Sequence, residues 1–306
     1  MALILPSQAL KAITIIVPLG AGSSVDTAAR LFAAEMARGM GRPVNVELLP
    51  GAGGTIGTAK AARAAPDGCT IAIVSNGTHA INMGLYSDPG YDPIRDFAPI
   101  ALAGAVSNVM IVHPDNPAGI VQDVIAAARD RPGELTYSSG GTGTTHHFSG
   151  VMFASMAKVD LVHMPFTASR DGINQVAEGH VSMGFFNLPT VLAHIKGGTL
   201  KALAVTSKTR SRFLPLLPTL DESGLPGYEV TAWFGFAAPA GTPAGLVAQL
   251  NMEIAKVLNN PVVRQQMEVW GFELASPAAP ETFAQMMKDE LARWLPIVKA
   301  SGAPVE

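Results

Sequence analysis

Three stretches of this sequence put glycines, hydroxyls and amides where a strand gives way to a helix, and each is built to hold an anion. The first runs Pro18, Leu19, Gly20, Ala21, Gly22, Ser23, Ser24, with Asp26 just beyond it. The second is Ser75, Asn76, Gly77, Thr78. The third is Ser139, Gly140, Gly141, Thr142, Gly143, Thr144, closed by Thr145 and His146. At a helix start the first backbone N–H groups have no intrahelical partner, and the helix dipole adds partial positive charge. A carboxylate or phosphate is stabilised there without Lys or Arg. The plainer reading of the first stretch is a strand–helix turn whose donors are capped by Ser23 and water. Arg170 is the only fixed positive charge near any of these loops. It reads either as a bidentate partner for a second carboxylate or as a solvated first-turn arginine.

Catalytic constellations are not legible. There is no Gly-x-Ser-x-Gly elbow and no His-Glu-x-x-His, although a triad assembled from distant loops stays open. His146 and His147 are adjacent, so on a helix they point about 100° apart and do not form an i, i+4 metal pair; no metal and no cofactor are expected. His79 reads as a helix-face or capping residue. The run Pro50, Gly51, Ala52, Gly53, Gly54, Thr55, Ile56, Gly57 puts Ile56 where a dinucleotide loop needs glycine, and it lacks a Gly-Lys-Ser/Thr ending. It is expected to be a loop that requires close backbone approach. The single cysteine, Cys69, reads as an apolar filler.

The elements that must position these loops alternate. Ile13, Thr14, Ile15, Ile16 and Val17 form a β-branched, doubly buried strand, and Ser23 with Asp26 suggests a capping box opening a helix faced by Ala28, Ala29, Phe32 and Met36. Strands are predicted at 44–49 and 70–74 around a helix at 58–65. Strand-like segments at 100–103 and 109–112 then lie without a helix between them, which suits a crossover. A second alternation follows: helix 121–129, strand 135–138, strand 160–164, strand 181–185, helix 190–195 and strand 200–206. Residues 228–238 alternate like a strand that crosses back, and the tail is helical over 243–258, 261–270 and 280–300, expected to pack on the first unit. In such open α/β sheets ligands bind at the carboxyl ends of the strands, so the polar junctions face one crevice.

The chain has 306 residues, 48% hydrophobic and 15% charged, with a formal net charge of −3. That length favours two cores. The charge excludes a basic footprint for nucleic acid or an anionic membrane. The apolar N-terminal run Ala2, Leu3, Ile4, Leu5 has no basic flank and is not an intact signal peptide, and no run approaches the roughly 20 apolar residues that cross a bilayer. A soluble chain is expected. The fold class is α/β, two units joined by crossover strands with a cleft between them: residues 1–103 plus 230–306 form the first unit and 104–229 the second. That is the layout of a hinged binding protein whose closure desolvates a small anion. The rival readings are a sensory domain using the same pocket and a hydrolase or transferase using the hydroxyl-rich loops.

The ordered set Val17-Pro18, Asp26, Arg30; Pro50-Gly51-Ala52-Gly53-Gly54 and Gly57; Ala65-Pro66-Asp67-Gly68; Asn76-Gly77-Thr78-His79-Ala80-Ile81-Asn82; Asn187-Leu188-Pro189; Leu203-Ala204-Val205-Thr206-Ser207; and Trp233-Phe234-Gly235 leading to Pro239-Ala240-Gly241-Thr242-Pro243 resembles the Bug family. These are extracytoplasmic solute receptors of tripartite tricarboxylate transporters. The resemblance covers essentially the whole chain. It implies a two-lobed periplasmic binding protein fold of the type II kind, a periplasmic protein whose signal peptide has been removed, and delivery of a captured carboxylate to a membrane permease; a monomer is expected. It also implies a head group held by backbone and hydroxyl donors and bridging water, here supplied from residues 18–24, 75–78 and 139–144. Three departures bear on the ligand. Ala21-Gly22-Ser23 stands where the family usually has proline-glycine-glycine, Phe166-Thr167-Ala168 replaces a tyrosine–basic–glycine turn, and Phe186 replaces an acid before Asn187. Phe166, Phe186 and Trp233, with Arg170 distally, then imply a mono- or dicarboxylate with an apolar or aromatic body, unless the three aromatics are core.

Overall fold

The computed structural model describes residues 11–301; the N-terminal apolar run lies outside them. The first strand, β1 (Ile13–Val17), is buried along nearly its whole length, as its β-branched run requires. It feeds α1 (Ser24–Met40), capped by Ser23, whose Oγ accepts from Asp26 N at 3.2 Å, and terminated by Gly41 in the left-handed region at φ 62°. The acid arm of the expected capping box is shifted: Asp26 Oδ2 accepts from Gly22 N rather than from Ser23 N. The apolar stripe Ala28, Ala29, Phe32, Ala33 and Met36 is buried, with Phe32 against Phe236 at 5.2 Å.

The chain continues through β2 (Val44–Leu48), a 3₁₀ turn Ala52–Gly54, α2 (Thr55–Ala62) and β3 (Thr70–Ser75). The helix expected over 58–65 begins three residues earlier, because Gly51, Ala52, Gly53 and Gly54 all take positive φ and turn the chain sharply before Thr55. A single π-helical turn, Gly77–Ile81, runs into the short α3 (Asn82–Leu85).

The two apolar segments expected at 100–103 and 109–112 are one strand, β4 (Phe97–Val112), continuous because its middle stays hydrogen-bonded. After it come α4 (Val121–Asp130), β5 (Thr136–Ser139), α5 (Thr145–Ala157), β6 (Val162–Pro165), α6 (Ser169–Ala177), β7 (Met183–Asn187), α7 (Leu188–Lys196) and β8 (Lys201–Val205). Then follow β9 (Thr231–Pro239), α8 (Ala244–Asn259), α9 (Pro261–Val269), β10 (Glu273–Leu274) and α10 (Pro280–Ala300).

Strand order is β2-β1-β3-β9-β4-β7-β5-β6, with β8 and β10 also on β4. β4 changes company part-way. Its residues 97–107 pair antiparallel with β9, while from Asn108 onward it pairs with β7 and, from Val109, with β8. β1, β2 and β3 run parallel, as do β5, β6 and β7, so β1, β3 and β5 deliver their carboxyl ends to the loops singled out above.

α8 and α9 pack on the core that contains β1 and α1. α10 reaches further than the first unit. Phe283 and Met287 sit with Trp233 and Val74, whereas Trp294 and Val298 sit with Phe148 and Leu85 in the core of the second alternation. The amphipathic pattern of α10 states that one face is buried but not against what. Among the described residues no helix is long and apolar enough to cross a membrane.

Candidate functional site

Two adjoining spaces lie where the loops after β1, β3 and β5 meet. The inner one is a cavity of about 40 Å³ reached by Ser24 and Val25 of α1, by Ser75, Asn76, Gly77 and Thr78, by Thr144, Thr145 and His146 of α5, and by Asn187, Trp233 and Phe234. The outer one, about 350 Å³, is walled by Leu19, Gly20, the 50–54 loop, Tyr86, Gly140, Gly141, Thr142, Phe166 and Thr167. Leu19 and Gly53 line both, so the two spaces form one cleft.

The inner cavity is a donor site by construction. Ser23 caps the third N–H of α1, and Thr144 Oγ1 does the same for α5 by accepting from His147 N at 3.3 Å. Ahead of those caps, the backbone N–H groups of Ser24, Val25, Thr145 and His146 have no acceptor among the described residues. Two helix starts therefore point unpaired donors and their dipoles at one small space. No Lys or Arg lines either space.

His146 adds a further donor by default. Gly140 N lies 3.3 Å from its Nδ1 and Asn187 N 3.4 Å from its Nε2. Burial keeps the ring neutral by pushing its pKa down to about 4, with the Asn187 contact opposing. A neutral imidazole has one bare nitrogen, so it accepts from only one of those N–H groups and leaves the other for a ligand.

A polar chain crosses the cleft beneath the cavity. Ser24 Oγ donates to Asn187 Oδ1 at 2.8 Å, Asn187 Nδ2 to Asn108 Oδ1 at 2.5 Å, and Asn108 Nδ2 to Ser149 Oγ at 2.9 Å. Asn76 Nδ2 donates to Thr231 O at 2.8 Å, which fixes its amide and leaves Oδ1 as a buried acceptor with no partner among the described residues. Tyr86 OH donates to Thr142 O at 3.3 Å across the cleft, and Asn82 Nδ2 donates to Gly53 O at 3.0 Å, which fixes the 50–54 loop on its own side.

The sequence-singled residues divide. Leu19, Gly20, Ser24, Ser75, Asn76, Gly77, Thr78, Gly140, Gly141, Thr142, Thr144, His146, Phe166, Asn187 and Trp233 come together at the two spaces. Pro18 is buried behind them. Gly22, Ser23 and Asp26 are not in the lining: Asp26 is committed to Gly22 N at 2.9 Å and Arg30 Nε at 2.7 Å, and Ser23 to its cap. Arg170 is not brought to the cleft; its side chain is 80% exposed and its nearest acid is Asp171 at 3.9 Å. Phe186 is core, packed on His146 at 5.0 Å between ring centres, and shapes the site only through that ring. Ser139 turns away from the cleft, its Oγ 2.7 Å from His163 Nε2. That pair is not a nucleophile dyad, because Ser139 is wholly buried and no acid orients His163 among the described residues. His79 is buried between Tyr91 and Phe97, and desolvation lowers its pKa to about 3.

Missed residues include Val25, Gly53, Tyr86, Thr145, Thr167 and Phe234. For Gly53 the signal was in the glycine run: a Cβ there would stand 2.5 Å from Thr142 O across the cleft. His146 and His147 leave α5 on different sides, one against Phe186 and the other stacked on His163. Among the described residues no three His, Cys, Asp or Glu gather as metal ligands.

Residues 28–303 match the family described as the tripartite tricarboxylate transporter family receptor. This chain belongs to that receptor family. The protein BugT of Bordetella pertussis is 31% identical over 96% of this chain and 90% of its own. The adipate-bound structure of Rpa4515 from R. palustris superposes with a TM-score of 0.92 at 34% identity, covering 97% of this chain and 99% of that one. The malate-bound structure of MatC from Rhodopseudomonas palustris gives 0.90 at 31%, covering 94% and 99%. The fold of this receptor is accordingly the α/β periplasmic binding protein fold, and its likeness to BugT places the Bug resemblance within the same family. The family is one of solute-binding receptors, not of enzymes.

Proposed function

We propose that this receptor captures a small carboxylate in the cleft and delivers it to the membrane permease of a tripartite transporter from the periplasm, acting as a monomer. The observation that carries the reading is the pair of helix starts whose four unpaired N–H groups meet at a 40 Å³ cavity with no cation in its wall. An anionic head fits such a site, and relatives of the same fold hold adipate and malate. The head occupies the inner cavity and the body the outer 350 Å³, against Leu19, Pro50, Phe166 and Tyr86. Those side chains favour a body with an apolar or aromatic face, and a distal second carboxylate finds hydroxyls and main chain instead of Arg170.

We further propose that the two units divide inside β4 near Ser107 and again near Thr231, a few residues from the boundaries expected at 103/104 and 229/230. The change of strand partners supports this.

A thermal-shift panel of adipate, malate, benzoate and aliphatic monocarboxylates tests the receptor reading. A cognate carboxylate at 100 times its Kd adds about 2.7 kcal/mol of stability. Melting curves unmoved by every carboxylate, with turnover of an ester or amide, sink the reading.

A further inference from the structure

A cavity larger than the cleft lies beside it. It is a pocket of about 820 Å³ on the other side of the 139–144 loop, lined by Tyr137, His147, Val151, Lys158, Leu161 and His163 among others. That volume lies in the range of small-molecule sites. Thr142 lines both this pocket and the outer cleft, so a single loop separates them.

The polar inventory of this pocket is unusual. Gly143 N donates to His147 Nδ1 at 3.3 Å, so the neutral ring carries its proton on Nε2. Ser139 Oγ accepts from Gly141 N at 3.1 Å and is wholly buried, and His163 Nε2 at 2.7 Å is the one acceptor for its hydroxyl proton among the described residues, so the proton goes there. That places the His163 proton on Nδ1. Neither His147 Nε2–H nor His163 Nδ1–H has an acceptor among the described residues, and both rings stand in the wall of the same cavity. The rings are locked in place by stacking: His147 on His163 at 4.3 Å and His163 on Tyr137 at 4.8 Å. Lys158 and Ser155 add an ammonium and a hydroxyl, opposed by the carboxylate of Asp160. Val151, Ala154, Val159, Leu161 and Pro165 make the rest of the wall mostly apolar.

We propose that this pocket is a second binding site, for a small carboxylate carried on an apolar chain, with His147 Nε2–H, His163 Nδ1–H and Lys158 holding the head. The site is independent of the cleft: its donors are imidazole and ammonium, whereas the cleft offers main-chain N–H groups.

The test is a titration of the full chain, labelled with ¹⁵N-histidine, using hexanoate and followed by NMR. Without ligand, the nitrogen shifts report His147 protonated on Nε2 and His163 on Nδ1. Hexanoate moves both resonances saturably, and does so with the same midpoint in the Ser24→Ala protein, whose cleft binding is weakened. Lys158→Glu weakens the response roughly tenfold or more, and Val151→Trp, which puts an indole into the cavity without changing charge, weakens it as well. The opposite tautomers, resonances that do not move, or a response weakened in Ser24→Ala and retained in Lys158→Glu each overturn the proposal.

Discussion

Ser24 Oγ donates 2.8 Å to Asn187 Oδ1, joining the first residue of α1 to the last of β7, 163 positions later and on the opposite wall of the cleft. The bond is wholly buried and gives Asn187 Oδ1 its only donor among the described residues. Ser24→Ala strands that acceptor in the closed form, a loss of about 1 to 3 kcal/mol. Carboxylate binding is expected to weaken roughly tenfold, because only the closed form carries the bond. Isothermal titration checks this, and unchanged affinity would remove the bond from the closing mechanism.

Two glycines separate backbone strain from closure. Gly22 and Gly53 both have positive φ, 75° and 60°, but a Cβ on Gly22 meets nothing within 4 Å, whereas one on Gly53 meets Thr142 O at 2.5 Å. Gly22→Ala is expected to cost about 1 kcal/mol of stability and leave binding intact. Gly53→Ala is expected to lose cleft binding as well, since the two walls no longer approach. Melting and titration of both variants make the comparison.

Acid should destabilise the protein with an identifiable slope. Burial holds His79 at about 3, His146 and His147 at about 4, and His163 at about 3, the last also lowered by its neighbour His147. Each folded value lies below the unfolded 6.5, so the unfolded chain binds more protons as pH falls. The stability is fully present above pH 6.5 and is lost between 6.5 and the folded pKa. From pH 7 to 5 each fully buried histidine should cost roughly 2 kcal/mol, and the more open His163 less. Urea denaturation at the two pH values measures this, and equal midpoints contradict it.

Trp233 lines the inner cavity and donates from Nε1 to Glu290 at 2.8 Å. Its emission should change on cargo binding, and Trp233→Phe should abolish most of that signal, since Trp270 and Trp294 line neither space of the cleft. A full signal in the variant places the reporter elsewhere.

The parts of the site readable from sequence are those encoded locally. Ser75 to Thr78 and Thr144 stand at strand–helix junctions, where hydroxyl type and position alone imply a cap or a nest. Tyr86 and Phe234 could not be found that way, because they reach the cleft through packing between segments far apart in sequence. Gly53 stands in a glycine run whose spacing falls short of a nucleotide motif, and its service to the facing loop is a tertiary fact. The charge of Arg170 does not say where its side chain points. The strand–helix order is carried by hydrophobic period, but the unbroken β4 is decided by its partners: Gly104 lets β10 approach, with Glu273 O 2.5 Å from where a Cβ would be.

α10 anchors Phe283 and Met287 in one core and Trp294 and Val298 in another, and Glu290 Oε2 between them accepts from both Trp233 Nε1 at 2.8 Å and Trp294 Nε1 at 3.0 Å. Because Trp294 stands four residues beyond Glu290 on the same helix, this carboxylate braces α10 against β9, and the tie to the other core is the packing of Trp294 and Val298. The helix is thus one beam with a foot in each core, and pulling the cores apart means drawing an indole out of its socket.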